Sequence, residues 1–252
     1  CLTSPVARTA MSAMSTSFSS PFLPARLCRR RPVTLDGTAL LAWSEPVADR
    51  RSRRRVGIGT LGPVAEAAPP IELEGVEVER TWLDERSWVD LWPGWVAGAD
   101  ALYEHLGATV AFRQGRVFRY DHWVDEPRLG AGFATATAPH PVLLDAQRTL
   151  QHHYGVRFGG GAIALYRDGR DMVAFHRDRD MRWLDDTVIA LLVLGRRRPF
   201  AIRPRANRYA HEAPAKGATH QFAPGEGDLL VMGGSTQTVW EHSVTPQPGL
   251  VG

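Results

Sequence analysis

Apolar positions recur at helical spacing in two stretches near the middle of the chain. From Gly98 to Val110, Leu102, Leu106 and Val110 fall on one face, which predicts an amphipathic helix. A second helix is predicted over Pro141 to Tyr154, opened by a proline in its first turn and stopped by Gly155. Between them, Gly115 to Val124 reads as strand, followed by the turn-rich sequence Asp125-Glu126-Pro127-Arg128-Leu129-Gly130. After Phe158 the pattern changes to short β-rich runs separated by Gly, Pro and Arg: Ala162–Tyr166, Val173–His176, Thr187–Leu194, Pro199–Arg203, Asp228–Met232 and Gln237–Val244. Many closely spaced short strands argue for a double-sheet roll or barrel, and two preceding helices would pack on one outer face, an α+β domain. Upstream, Glu and Val alternate from Ile71 to Glu79, and Trp82, Trp88, Leu91, Trp92 and Trp95 form a packing ridge. Residues 1–70 show no sustained apolar period and are rich in Ser, Ala, Pro and Arg, so they are expected to be a disordered extension, with the folded domain over 71–252.

Composition adds three constraints. Of the 252 residues, 44% are hydrophobic, enough for a core in one large or two small domains. The net charge of +3 hides an uneven spread: residues 157–208 carry twelve Arg against six Asp, whereas residues 71–156 carry seven basic against thirteen acidic residues. A local basic zone therefore informs about partners more than the global balance does. Cys1 and Cys28 are the only cysteines, which excludes a disulfide framework for the domain and fits a reducing, cytoplasmic setting. The longest apolar run, Val188–Leu194, is too short to cross a bilayer, so no membrane partner is expected. The clusters Arg29–Arg31 and Arg50–Arg55 fit either a nucleic-acid arm or a solvated tail.

The chemistry concentrates in residues 164–180. His176 and Asp178 stand two apart, and residues i and i+2 of an extended segment project from the same face. A third ligand is needed to hold a metal firmly, and His242, in a later strand-like run, is the candidate. Two His and one carboxylate form the facial triad of non-haem Fe(II) oxygenases, with positions left open for cosubstrate and O2. Spacing alone leaves another reading open, in which His176 and Asp178 are a surface ion pair and His242 a packed core histidine.

The chain resembles the AlkB family of Fe(II)/2-oxoglutarate-dependent dioxygenases. The stretches that carry the resemblance are Val-Asp-Leu-Trp-Pro-Gly-Trp (89–95), Asp-Glu-Pro-Arg-Leu (125–129), Leu-Tyr-Arg-Asp-Gly-Arg-Asp-Met-Val-Ala-Phe-His-Arg-Asp (165–178), Leu-Gly-Arg-Arg-Arg-Pro-Phe (194–200), Gly-Asp-Leu-Leu-Val-Met-Gly-Gly (227–234) and Trp-Glu-His-Ser-Val (240–244). It implies a double-stranded β-helix of jelly-roll type and oxidative demethylation of N-alkylated bases in DNA or RNA, as in alkylation damage repair. It also implies Fe(II) held by His176, Asp178 and His242, with 2-oxoglutarate as cosubstrate hydrogen-bonded by Tyr166. Asp180 matches the acid that contacts the exocyclic amino group of the target base in some members; its alternative is an ion pair with Arg177, Arg179 or Arg182. Arg128 matches a residue preceding a substrate-facing loop, with a loop-anchoring salt bridge as its alternative. The base would be flipped out or offered in a single strand, and the chain is expected to act as a monomer. The Arg-rich segment 196–208 would neutralise flanking phosphates.

Two positions depart from the family pattern. Ala164 stands where the family places Asn, removing a donor to the cosubstrate with a net worth of roughly 0.5–1.5 kcal/mol. No Arg follows His242 in the ten residues to Gly252, where the family carries an Arg-x5-Arg motif on a last strand. The sequence is therefore expected to be either a truncated fragment or a degenerate member, with iron binding retained, cosubstrate binding poor and turnover low. The competing functions are a catalytically silent nucleic-acid-binding module and a dioxygenase acting on a protein or small molecule.

Overall fold

A computed structural model describes residues 37–46, 77–119, 121–205 and 218–247. Among the described residues the chain builds two antiparallel sheets. The larger has eight strands, in chain order β1 (Thr38–Pro46), β2 (Glu79–Trp82), β3 (Ser87–Trp92), β4 (Arg113–Arg119), β5 (His122–Ala134), β6 (Gly160–Tyr166), β8 (Thr187–Gly195) and β11 (Leu229–Gly234). The smaller has four: β7 (Val173–His176), β9 (Phe200–Pro204), β10 (His220–Phe222) and β12 (Trp240–Val244). Spatial order is β2-β3-β11-β8-β1-β6-β5-β4 in the first sheet and β10-β9-β12-β7 in the second. The helices are α1 (Ala99–Thr109), α2 (Pro141–Tyr154) and the single turn α3 (Thr236–Val239).

The central strands are buried on both faces, and their residues divide with the strand period of two. In β8, Val188, Ala190, Leu192 and Leu194 join one apolar cluster, whereas Ile189, Leu191 and Val193 join the other. Strand β11 divides the same way, Leu229 and Val231 against Leu230 and Met232. The first cluster includes Leu102 and Leu106 of α1 and Leu143, Ala146 and Leu150 of α2. The second brings Leu40, Tyr166, Ile189 and Leu230 of the large sheet against Phe200, Ile202, Trp240 and Val244 of the small one. Residues facing this second cluster lie between the sheets, and that is where the candidate chemistry sits.

The two long helices follow the sequence signals closely. Helix α2 starts with Pro141 and ends on Gly155 at φ 68°, a left-handed C-cap that suits glycine. Its N-terminus is capped by the His140 ring, which accepts from the Val142 amide at 3.3 Å.

Three expectations are corrected. Residues 38–46, placed in a disordered extension, form β1, which pairs with β6 on one side and β8 on the other and buries Leu41 and Trp43 completely. A nine-residue strand flanked by disfavoured composition left no long period to read. The remainder of residues 1–36 and 47–76, including the arginine clusters and the strand expected at Ile71, lies outside the described residues. The turn-rich loop at 125–130 is instead the middle of β5; the pairing with β4 is irregular between Asp125 and Leu129, which accommodates Pro127, and β6 pairs from Leu129 onward. The run Gln237–Val244 is one helical turn, α3, followed by β12. Strand β10 carried no signal of its own, being three residues long.

Candidate metal centre

His176 is the last residue of β7 and His242 the middle of β12, and the two are direct partners in the antiparallel register. Their ring centroids are 4.3 Å apart. Asp178 lies just past the end of β7, so the chain turns its carboxylate back toward both rings. Its Oδ1 is 3.6 Å from His176 Nε2 and 3.9 Å from His242 Nε2. One ligand atom from each of the three residues lies within 4.8 Å of the others. The three residues that the sequence pattern selected are thus brought together, and both imidazoles present the same nitrogen to the carboxylate.

The surroundings favour metal-ligating forms. His176 Nδ1 is 2.9 Å from the Ala174 carbonyl, a contact that favours the proton on Nδ1 and leaves Nε2 free as a donor atom. His242 is buried and stacks on Phe200 with centroids 5.7 Å apart. Burial pushes its imidazole down to about 4; the Asp178 charge opposes this, and His176 and Arg128 add to it. Burial pushes the Asp178 carboxyl up, but the His176 hydrogen bond and the charges of His242, His176 and Arg128 outweigh it and hold it below the usual range. A neutral imidazole beside an ionised carboxylate is the protonation pattern a divalent metal requires. The donor set fits Fe(II) of the oxygenase type, with two imidazoles and one carboxylate on one side and no further His, Cys, Asp or Glu among the described residues in the cluster.

Tyr166 ends β6 and is buried between the sheets. Its hydroxyl accepts from Arg128 Nη1 at 3.4 Å, and the Arg198 guanidinium lies over its ring, 5.2 Å from the centroid. Burial raises its pKa, with both arginines partly opposing, so it stands as a neutral hydrogen-bond donor. Ala164, two residues earlier on the same face, packs against the same cluster. Arg128 therefore points toward Tyr166, with Glu126 at 3.8 Å as its other partner. Asp180 is exposed, two residues beyond Asp178.

The Arg-rich segment is not one phosphate-facing surface. Arg198 is buried, donating to the Asp168 carbonyl at 2.8 Å and to the Asp171 carbonyl. Arg203 pairs with Glu241 at 3.4 Å and covers the Phe175 ring at 3.8 Å. Arg208 lies outside the described residues. Arg198 lies in the connection between β8 and β9 and Arg203 on β9, and each is turned to local protein partners, which charge counting ignores.

Gln237 is a supporting residue that sequence reasoning missed. Its Oε1 accepts the Asp178 amide at 2.8 Å, and the side chain is fully buried. Gln237 stands in the polar run Ser235-Thr236-Gln237-Thr238, so nothing local marked it as buried. The β4–β5 hairpin was also missed as a surface feature: Phe118 and Trp123 are each 59% exposed, meet edge to face at 5.6 Å, and Arg116 lies over Trp123 at 5.9 Å.

Residues 134–248, which span the triad and Tyr166, match the family profile described as the 2OG-Fe(II) oxygenase superfamily. The chain is 29% identical over 188 residues to alpha-ketoglutarate-dependent dioxygenase alkB homolog 3 of Bos taurus, covering 69% of this chain and 66% of that protein. The same protein of Mus musculus is 28% identical over 254 residues, covering 92% of this chain and 86% of its own length. The chain is similar to the AlkB-type 2OG-Fe(II) oxygenases over most of its described residues. It is also 27% identical over 165 residues to DNA oxidative demethylase ALKBH2 of Homo sapiens, covering 59% of this chain and 62% of that protein. For the bovine and human relatives, the matched part is therefore somewhat under two thirds of the relative's length. AlkB-type oxygenases use Fe(II), 2-oxoglutarate and O2, and the His-Asp-His group of this chain has the donor chemistry to hold the iron. No helix among the described residues is long and apolar enough to cross a membrane.

Proposed function

We propose that this chain removes N-alkyl groups oxidatively from bases in DNA or RNA, with Fe(II) held by His176, Asp178 and His242. The observation that carries this reading is the convergence of three ligand atoms within 4.8 Å in a chain similar to proteins named as alkB homologues and DNA oxidative demethylases. When bound, iron and 2-oxoglutarate would let O2 act as the oxidant: one oxygen atom would go to 2-oxoglutarate, giving succinate and CO2, and the other to the N-methyl group, whose N-hydroxymethyl product would split into formaldehyde and the N–H base. The protein's own part is binding and orientation. The neutral Tyr166 hydroxyl donates to a carboxylate of 2-oxoglutarate, and Arg128 adds a positive charge beside it. Phe200, Ile202 and Leu230 of the inter-sheet cluster keep that side of the site dry.

Asp180 accepts from the exocyclic amino group of the target base, where a carboxylate also favours the cationic, alkylated ring. The base reaches the metal group flipped from a duplex or presented in a single strand. The β4–β5 hairpin supports a nucleic-acid substrate: an exposed Phe118–Trp123 pair beside Arg116 offers stacking and charge together. Strand β5 links this hairpin to the site, since Trp123 and Arg128 are five residues apart on it, about 17 Å in extended chain. The domain is read as a jelly roll with α1 and α2 on one outer face, acting as a monomer.

The test is succinate and formaldehyde release from an N-methylated single-stranded oligonucleotide, with His176→Ala as control. Turnover that depends on 2-oxoglutarate and vanishes in the variant supports the reading. Tight oligonucleotide binding without turnover in the iron-loaded protein would replace it with a catalytically silent binding module.

A further inference from the structure

The segment from Asp178 to β8 is a tightly tied turn that displays one side chain. The amides of Met181 and Arg182 donate back to the Asp178 carbonyl at 3.1 and 3.0 Å, and the Leu184 amide donates to the Met181 carbonyl at 3.0 Å. Met181 is buried, and Leu184 packs against the same inter-sheet cluster. The neighbouring strand-to-strand connection holds the turn from the other side: Thr238 Oγ1 donates to the Leu184 carbonyl at 2.8 Å and Ser235 Oγ to the Asp185 carbonyl at 3.0 Å. Arg177 Nη1 donates to the Arg182 carbonyl at 3.0 Å. Between these anchors Trp183 is 72% exposed, more than Trp82, Phe118 or Trp123.

An indole held in water by a rigid frame gains nothing from solvation and nothing from folding. Its use is to present a flat π surface at a fixed place. The Arg182 guanidinium lies 5.0 Å from the ring centroid, so one side of the indole already carries a cation. The location is decisive: Trp183 is five residues from Asp178 along a turn that closes back on it, within about 18 Å even if the chain were fully extended. On the nucleic-acid reading, the nucleotides flanking a base at the metal group lie within reach of this rim.

The geometry points to Trp183 as a stacking platform for an unpaired base adjacent to the one presented to the His176–Asp178–His242 group, in single-stranded nucleic acid. This rests on the nucleic-acid reading above and adds to it where the neighbouring nucleotide is held. Exposed charges on the turn are mixed, Arg179 and Arg182 against Asp180, Asp185 and Asp186, so the patch has no positive excess to attract phosphates. Stacking, not ion pairing, is the recognition it offers. That separates it from a phosphate contact, because counterion release makes phosphate contacts salt-dependent and base stacking contributes little to the salt slope.

The experiment measures binding of a fluorescein-labelled, unmodified single-stranded oligonucleotide to the full chain, comparing wild type, Trp183→Ala and Trp183→Phe across a range of salt. Trp183→Ala is expected to weaken binding about 5- to 100-fold. Its slope of log K against log salt should stay that of wild type, and Trp183→Phe should recover most of the loss. Near-UV circular dichroism and the thermal midpoint should be unchanged, since the side chain packs against nothing in the core. Equal binding by wild type and Trp183→Ala overturns the platform while leaving the demethylase reading intact. A wild-type chain that neither binds the oligonucleotide nor turns over a methylated one overturns both. A loss in Trp183→Ala accompanied by a shallower salt slope also overturns it, assigning the role to charge instead.

Discussion

His176 and His242 are cross-strand partners on β7 and β12, their rings 4.3 Å apart, although 66 residues separate them in the chain. The pairing register itself therefore creates the site. A one-residue slip of β12 would turn the His242 side chain to the opposite face of the small sheet. The register shift with β7 between His242 and Val244 falls immediately after this pair, while on its other side β12 stays in regular register with β9 from Trp240 to Val244. Replacing His242 with Ala should abolish stoichiometric binding of Mn(II) or Co(II) in titration calorimetry. Retention of wild-type metal affinity in that variant would remove the triad from the metal site.

Gln237 gives a subtler test. Its buried carbonyl oxygen holds the Asp178 amide, fixing where the carboxylate begins its turn toward the histidines. Partners of this kind orient ligands, and their loss usually weakens metal binding 10- to 100-fold. Gln237→Ala is expected to fall in that range, with the donor set itself intact. Gln237→Glu, which keeps the acceptor, should lie closer to wild type. A metal affinity unchanged in Gln237→Ala would show that β7 and its following turn hold Asp178 unaided.

Acid should unfold the metal-stripped protein in a window set by His242. Its imidazole titrates near 4 when folded, against an ordinary 6.5. Above pH 6.5 it is neutral in both states and stability is at its full value. Between about 6.5 and 4 the unfolded chain binds a proton that the folded chain refuses, so stability falls as pH falls, by up to about 1.4 kcal/mol per pH unit. Near and below 4 this contribution levels off, while Asp178, whose folded value is also depressed, continues the loss below the ordinary carboxylate value. Urea midpoints against pH should show this slope in wild type and a shallower one in His242→Gln. Equal slopes would mean that other groups dominate the acid limb.

The His176–Asp178 pair was legible in the sequence because its information is local, His-x-Asp needing only the strand period, whereas bringing His242 to it depends on the β7–β12 pairing. Helix α2 was legible for the same reason, with Pro141 and Gly155 marking both ends. What escaped depends on partners distant in the chain. The strand β1 is central because β6 and β8 flank it, a fact absent from residues 38–46 themselves. The inward turn of Arg198 depends on the Asp168 and Asp171 carbonyls. Strand β5 continues past Pro127 because β4 pairs on both sides of it and β6 from Leu129, while the irregularity between Asp125 and Leu129 is what the Asp-Glu-Pro signal left behind.

Asp90 on β3 provides the largest expected stability effect outside the site. Its carboxylate is fully buried and receives Arg80 Nε and Nη2 at 2.6 and 2.7 Å, while the Tyr154 hydroxyl donates to it at 3.0 Å. Tyr154 in turn accepts from Trp92 Nε1 at 3.0 Å, so one carboxylate ties edge strand β2, strand β3 and helix α2 together. Burial, followed by the adjacent negative charge of Asp90, raises the Tyr154 pKa, which keeps the phenol protonated and donating. Asp90→Ala would strand the Arg80 cation and the Tyr154 hydroxyl in a desolvated setting, and breaking a buried pair in this way costs about 3–5 kcal/mol. Arg80 is 39% exposed and can turn to solvent, which places the expected loss at the lower end, about 3 kcal/mol. Arg80→Met with Asp90→Leu, which removes both charges at once, should recover part of that loss in urea unfolding. A double variant no more stable than Asp90→Ala would mean that packing around Tyr154, and not the ion pair, fixes α2 against the sheet.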